Sequence, residues 1–264
     1  MNTVKHTFLT SLLTFIFVAV GLTQQPKPAR NTTPDASQDG FSTHHPVNTQ
    51  SVEAQRLFDQ GLELIYALDY SGGANTFRRA AALDPKMAMA YWGIAYATGS
   101  DYYYSTSGNP ARELEASKAF RSAVTLSAHA PEVERAYINA LGKRYCNCPN
   151  PERHQLAIEF KNAMRDLVKT YPDDLDAATL YAQAMMNLSP AGLWKDNGTP
   201  GENTPEILSV LESVLKRDPR HLGAIHYYFH AVEASPSPEL GLAYASVLPS
   251  LAPSILWFRP FLLE

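Results

Sequence analysis

Residues 57–85, LFDQGLELIYALDYSGGANTFRRAAALDP, contain the pattern that decides the fold. Apolar and small residues recur there at spacings of three and four, which places their side chains along one face of a helix. These positions are Leu57, Gly61 and Leu64, followed by Gly73, Phe77 and Ala80. Because proline cannot continue a helix, Pro85 predicts that a pair of helices ends just before it.

The second half of this pattern returns along the chain, and each copy ends on a proline. A looser version at Ala116, Phe120 and Ala123 has its proline displaced to Pro131. The close copies are Phe160, Met164, Leu167 and Pro172; Ile207, Leu211, Val214 and Pro219; and Gly241, Ala245, Leu248 and Pro253. Leu57 and Tyr91, which begin successive units, are 34 residues apart.

This period and residue pattern resemble the tetratricopeptide repeat (TPR) over roughly residues 52–258. The resemblance implies an all-α, right-handed α-solenoid of about five TPR-like helical hairpins with loop insertions. Since a single hairpin cannot bury its apolar face, stacked neighbours are expected to form the core. Insertions interrupt the array at residues 100–109, 146–151 and 189–204.

The chain begins with a segment typical of a secretory signal peptide. Lys5 and His6 precede an apolar stretch at residues 8–22, so residues 1–23 are expected to be a signal peptide, or alternatively an uncleaved membrane anchor. Residues 24–50 are polar and predict a disordered tether. The repeat domain is then expected over residues 51–258. This organisation predicts an exported protein, periplasmic or extracellular, that contacts a membrane only through an uncleaved leader.

Charge and motifs exclude several function classes. The formal net charge of −4 and a pI near 6.1 argue against nucleic acid as a partner. The chain has no GxSxG elbow, no phosphate-binding glycine loop and no dinucleotide fingerprint. It therefore does not indicate an enzyme of those classes, and no organic cofactor is expected.

The resemblance implies that the first helix of each pair lines a concave groove, which in TPR arrays usually binds a peptide or protein. The predicted groove residues of this chain are Trp92, Tyr96, Tyr145, Gln183, His226, His230 and Glu233. The resulting expectation is a binding scaffold. Trp194, in the last insertion, is expected either to fold back onto its own loop or to anchor a partner.

His226, His230 and Glu233 also suggest an alternative function. Their spacing places them on one face of a helix, and two histidines one turn apart can share a metal ion. The alternative is thus a metal-binding or metal-dependent protein, with zinc or copper as the divalent ion. The other interpretations are that these are polar groove residues that bond a peptide or one another, or that one of the histidines is catalytic.

Two further segments have open interpretations. Cys146 and Cys148, followed by His154, fit a local disulfide, two free thiols or a soft-metal site. The apolar C-terminus, including Trp257, Phe258 and the tail at residues 259–264, would leave the end of the array exposed. Self-association through this end is the expected result, and folding back onto the last helical pair is the alternative.

Overall fold

The computed structural model describes residues 43–99, 109–145, 152–189 and 192–255, all within one compact unit at residues 39–264. These residues form an all-α fold, which confirms the predicted class, and the one β-bridge among them pairs Trp194 with Pro200. The helices are α1 (Val52–Tyr66), α2 (Tyr70–Leu83), α3 (Ala88–Thr98), α4 (Pro110–Leu126), α5 (Glu132–Leu141), α6 (Arg153–Thr170), α7 (Leu175–Asn187), α8 (Thr204–Arg217), α9 (Leu222–Val232), α10 (Glu239–Ala245) and α11 (Leu248–Leu251).

Side-chain caps fix where several of these helices begin. Ser51 accepts a hydrogen bond from the Ala54 amide at the start of α1, and Asp174 accepts one from the Ala177 amide at the start of α7. His221 caps α9 by accepting a hydrogen bond from the Ala224 amide. Such caps satisfy amides that have no partner within the helix.

Each helix from α1 to α9 packs against the next one in the chain, and α1 also contacts α3. Phe77 and Ala80 of α2 are fully buried, and the Phe77 ring lies 5.4 Å from the Phe58 ring of α1. A Cβ added at Gly61 would come within 2.6 Å of the Phe77 ring, so this close approach requires glycine. The predicted packing of the first two helices is therefore confirmed.

Helix α9 also contacts α1, far away in sequence. The His226 Nδ1 atom lies 2.6 Å from the Tyr66 carbonyl oxygen, and the Tyr227 hydroxyl donates to the Ile65 carbonyl at 3.4 Å. Gly223 lies directly against the Tyr66 ring, where a Cβ would approach to 2.5 Å. Because these faces of α1 and α9 cover each other, their side chains are buried.

The predicted disordered tether, residues 24–50, is corrected at its C-terminal end. Residues 43–50 lie against the helices without regular secondary structure and bend at Asn48 and Gln50, and hydrogen bonds join them to α1, α5 and α7. We call residues 43–50 the N-terminal strap. Its polar composition suggested disorder because its partners are side chains distant in sequence, which no local pattern reveals.

Several predicted features lie outside the described residues. These are the leader at residues 1–23, most of the tether, Cys146 and Cys148, Trp257 and Phe258, and the tail at residues 259–264. Within the described ranges, no helix combines the length and apolar character needed to cross a membrane.

Candidate functional site: the N-terminal strap and the inner helices

The centre of the site is the buried carboxylate of Asp176, in the first turn of α7. Its Oδ1 atom accepts a hydrogen bond from the Tyr66 hydroxyl and lies 3.3 Å from Nε2 of His221. Its Oδ2 atom lies 2.8 Å from Nδ1 of His45 in the strap. Although burial opposes it, the hydrogen bonds and charges of His221 and His45 hold the pKa of Asp176 well below its usual range. Asp176 is therefore an anion that joins α1, α7, α9 and the strap.

His45 enters this centre between two aromatic rings. Its imidazole lies 6.0 Å from the Phe58 ring and 5.3 Å, edge-on, from the Tyr137 ring. Burial alone would lower the pKa of His45, but the hydrogen bond and charge of Asp176 outweigh it and raise the pKa above its ordinary value. The pocket thus favours a cationic side chain with an apolar body.

The backbone of the strap is held by acceptors on the helices. The Thr43 amide donates to Glu63 Oε1 at 2.9 Å, and the His45 amide donates to Asp59 Oδ1 at 3.0 Å. The Val47 amide donates to Gln55 Oε1 at 3.0 Å, and the Asn48 amide donates to Glu134. Since every non-proline residue has an amide N–H, these contacts recognise the main chain of the segment rather than particular side chains.

Three of the predicted groove residues meet inside the fold. Trp92 and Tyr96 stack at 5.1 Å, the Tyr96 hydroxyl donates to Gln183, and Gln183 Nε2 donates to the Tyr70 hydroxyl at 2.6 Å. Trp92, Tyr96 and Gln183 are all buried. Trp92 and Tyr96 do not line an open groove, because neighbouring helices cover them, whereas Gln183 also lines a cavity beside α9.

Tyr145 has a packing role. Its hydroxyl donates to the Ala95 carbonyl at 2.7 Å, and its ring stacks on Phe120 at 4.7 Å. These contacts tie the end of the α5 segment to α3 and α4. They satisfy the hydroxyl and cover the ring, so Tyr145 does not extend the predicted groove.

The two predicted histidine ligands of α9 do converge. His226 Nε2 and His230 Nε2 are 3.0 Å apart, and His230 Nδ1 lies 2.9 Å from Glu233 Oε1. Burial, with a smaller contribution from the charge of His230, lowers the pKa of His226 to about 4. The predicted three-ligand set is corrected: the Glu233 carboxylate contacts the Nδ1 edge of His230, opposite the nitrogen that faces His226.

A cavity of about 230 Å³ lies beside this pair of histidines. Trp194 lines it and donates its indole N–H to the Ala231 carbonyl at 2.7 Å. The insertion that carries Trp194 is therefore folded back onto α9. The other lining residues include Leu68, Gln183, Met186, Asn187, Tyr227, His230 and Glu233.

One group of three potential metal ligands appears in the described part of the chain: His45, Asp174 and Asp176, whose ligand atoms lie within 4.8 Å of one another. Asp174 already accepts hydrogen bonds from the Tyr137 hydroxyl and the Ala177 amide. Asp176 is equally well bonded, as described above. The protein's own donors therefore satisfy this group, so the cluster needs no cation.

Sequence reasoning missed the acidic residues that build the site. Asp59, Glu63 and Tyr66 follow one another at spacings of four and three, and so place a polar stripe along α1. In α7, Asp176 lies two turns before Gln183, the predicted groove residue of that helix. Polar residues at helical spacing along one face of a helix were the signal that could have identified both stripes.

The sequence matches no protein-family model, and the comparison with curated proteins finds no match. The inference of function therefore rests on the geometry of the site.

Proposed function

We propose that this protein is an exported TPR-like scaffold that binds an extended peptide segment of a protein partner on helices α1, α5 and α7. The 34-residue period and the sequential packing of α1 to α10 support a right-handed solenoid of about five hairpins. The signal-like leader supports export. The strap occupies the binding surface as a built-in ligand.

The observation that carries this proposal is the way the helices hold the strap. Four of its amides, at Thr43, His45, Val47 and Asn48, donate to side chains of α1 and α5. Gln55 also donates a hydrogen bond to the strap, from its Nε2 atom to the His45 carbonyl oxygen at 2.8 Å. A surface that satisfies the backbone amides of a segment outside any helix or sheet has the chemistry needed to bind the main chain of another peptide.

The His45 pocket gives the surface its specificity. The anionic Asp176 at its base and the rings of Phe58 and Tyr137 on its sides suit an imidazolium or another cation with an apolar stem. The proposed partner segment is therefore extended and carries a histidine or basic residue at this position. Its main chain takes the bonds now made by the strap.

Because the strap is part of the same chain, it competes with any partner at high local concentration. Tethered segments reach effective concentrations of about millimolar, so a free peptide binds weakly until the strap is weakened. We therefore predict that substitutions that weaken the contacts of the strap, rather than those in the helices, increase the binding of a free peptide.

The test uses a labelled peptide of residues 43–50, THHPVNTQ, titrated into the full chain and followed by fluorescence anisotropy. His45→Ala in the chain should tighten the apparent binding of the wild-type peptide by about tenfold, because it removes one buried hydrogen bond from the competitor. The matched control is His44→Ala, since the His44 side chain is 65% exposed and that of His45 is 10% exposed.

A peptide with alanine at the position of His45 should bind less tightly than the wild-type peptide. Equal binding by both chain variants would contradict the competition. No binding to any variant at millimolar peptide would refute the proposed peptide-binding function.

A further inference from the structure

The cavity of about 230 Å³ beside α9 lies between the C-terminal end of α1, helices α7 and α9, and the insertion that carries Trp194. Its lining residues grade from buried to exposed. Gln183 and Tyr227 are buried at the inner end, whereas Glu233 and Ala234 are exposed at the mouth. An apolar cavity of about 150 Å³ can hold one benzene molecule, so this cavity has room for one aromatic ring with a short substituent.

The Trp194 indole forms a fixed wall of this cavity. Its N–H donates to the Ala231 carbonyl at 2.7 Å, and its backbone pairs with Pro200 across the turn of the insertion. The Gly201 amide, which donates to the Leu193 carbonyl at 2.7 Å, holds the base of the same turn. Because the indole N–H is bonded and its loop is held, the half-buried ring presents carbon surface to the cavity, which suits stacking against another ring.

Leu68 lines the same cavity at a position where glycine is usual. It follows the end of α1 with a φ of 64°, and in the described part of the chain it is the one residue other than glycine with a left-handed backbone. This conformation is unfavourable for a residue with a Cβ, and glycine adopts it freely. The backbone at this helix end therefore favours glycine, whereas leucine adds an apolar side chain to the wall of the cavity.

Polar groups differ between the two ends of the cavity. At the inner end, the Gln183 amide already bonds two tyrosine hydroxyls, one through its oxygen and one through its nitrogen. At the mouth, Glu233 Oε1 lies 2.9 Å from Nδ1 of His230, and the Glu233 side chain is 48% exposed. Its Oε2 atom can therefore accept a hydrogen bond from a ligand. His230 contacts His226 through its second nitrogen, so it positions Glu233 rather than the ligand.

We propose that this cavity binds a small uncharged aromatic molecule with a hydroxyl or N–H donor, its ring against Trp194 and Leu68 and its donor at Glu233. Apolar walls with a few placed polar groups are the usual form of a small-molecule site. An aromatic carboxylate does not fit, because its oxygens would meet those of Glu233. No residue of the strap lines this cavity, and the site does not depend on the proposed peptide binding.

The experiment titrates the full chain with benzyl alcohol and follows the indole N–H resonance of Trp194 by NMR. Saturation at one site with a dissociation constant of about 1 mM or below is the expected result for a ligand of this size. Benzoate, which has the same ring and a carboxylate in place of the hydroxyl, should bind at least about tenfold more weakly, because its charge meets that of Glu233.

Three variants assign the binding to the cavity. Ala234→Phe, at the exposed mouth, should block the binding of benzyl alcohol while its circular dichroism stays helical. Glu233→Ala should weaken this binding about tenfold through the lost hydrogen bond, and should reduce the preference over benzoate. Glu239→Ala is the matched control, since it removes an exposed glutamate outside the cavity, and should bind as the wild type does.

Saturable binding of benzyl alcohol that is lost in Ala234→Phe and weakened in Glu233→Ala supports the proposal. No change of the Trp194 resonance at about 10 mM benzyl alcohol, ten times the expected dissociation constant, would overturn it. Equal binding of benzoate and benzyl alcohol, or unchanged binding in either cavity variant, would overturn it as well.

Discussion

Two adjacent histidines show how position rather than residue type decides a role. The His44 side chain lies mostly in solvent beside Asp59, whereas that of His45 is buried against Asp176. Loss of the exposed His44–Asp59 contact is expected to change the free energy of unfolding little, because such contacts contribute at most about 1 kcal/mol. Loss of the buried His45–Asp176 contact leaves one carboxylate oxygen of Asp176 without a donor, which lowers the free energy of unfolding by about 1–3 kcal/mol.

We therefore predict a pH-dependent effect of His45→Ala on the free energy of unfolding. Because the folded protein raises the pKa of His45 above 6.5, the stabilisation is complete below the unfolded pKa and is lost as pH rises through the folded one. The variant should be destabilised more at pH 6 than at pH 9 in urea denaturation. A difference from the wild type that does not change with pH, or that grows at pH 9, would contradict this assignment.

At this scale the sequence predicted the position of some side chains but not the burial of others. The spacing of His226 and His230 predicted that they share one face of a helix, and their Nε2 atoms lie 3.0 Å apart on α9. Trp92, Gln183 and His226 were expected to line an open groove, but they are buried. Their burial depends on how α1, α3, α7 and α9 come together, and helical spacing carries no information about that.

At the scale of elements, α2 illustrates what periodicity can predict. Phe77 and Ala80 belong to one apolar stripe with helical spacing, and both are fully buried against neighbouring helices. The strap has no such periodicity, because its backbone amides donate to side chains that are distant in sequence and its fold does not depend on a repeating apolar face. Its bond from His45 to Asp176 spans 131 residues.

The stripe of α2 gives a direct test of the packing. Ala80→Asp places a charge without a partner at a fully buried helix contact, and should lower the free energy of unfolding by at least about 3 kcal/mol. Leu83→Asp, three residues later on an exposed part of the same helix, should change it by about 0.5 kcal/mol or less. Thermal unfolding followed by circular dichroism compares the two; equal melting temperatures would show that the assigned helix face is wrong.

The contact between α9 and α1 depends on Gly223. A methyl group there would meet the Tyr66 ring, whose hydroxyl is bonded to Asp176 and whose movement is therefore restricted. We predict that Gly223→Ala destabilises the protein by about 1–3 kcal/mol in urea denaturation. In a chain that already carries Tyr66→Leu, the same substitution should cost less, because the smaller side chain leaves room. Identical costs in both backgrounds would show that the two residues do not meet.

At the scale of the whole molecule, one chain combines a leader pattern, the strap and an array of helices. The leader pattern at residues 1–23 predicts that the protein isolated from its native host begins after about residue 23. N-terminal sequencing tests this. Recovery of Met1 in a membrane fraction would establish the uncleaved anchor instead.

The proposed function requires that α1 and α5 bind a peptide chain through its backbone amides. Amide hydrogen exchange of the full chain, measured residue by residue by NMR, tests this requirement. Exchange should be slowed at the four strap amides that donate to side chains of α1 and α5, namely those of Thr43, His45, Val47 and Asn48. The amide of His44, which lies between the first two, should exchange faster than they do. Exchange of all these amides at the rate of an unstructured peptide would contradict it.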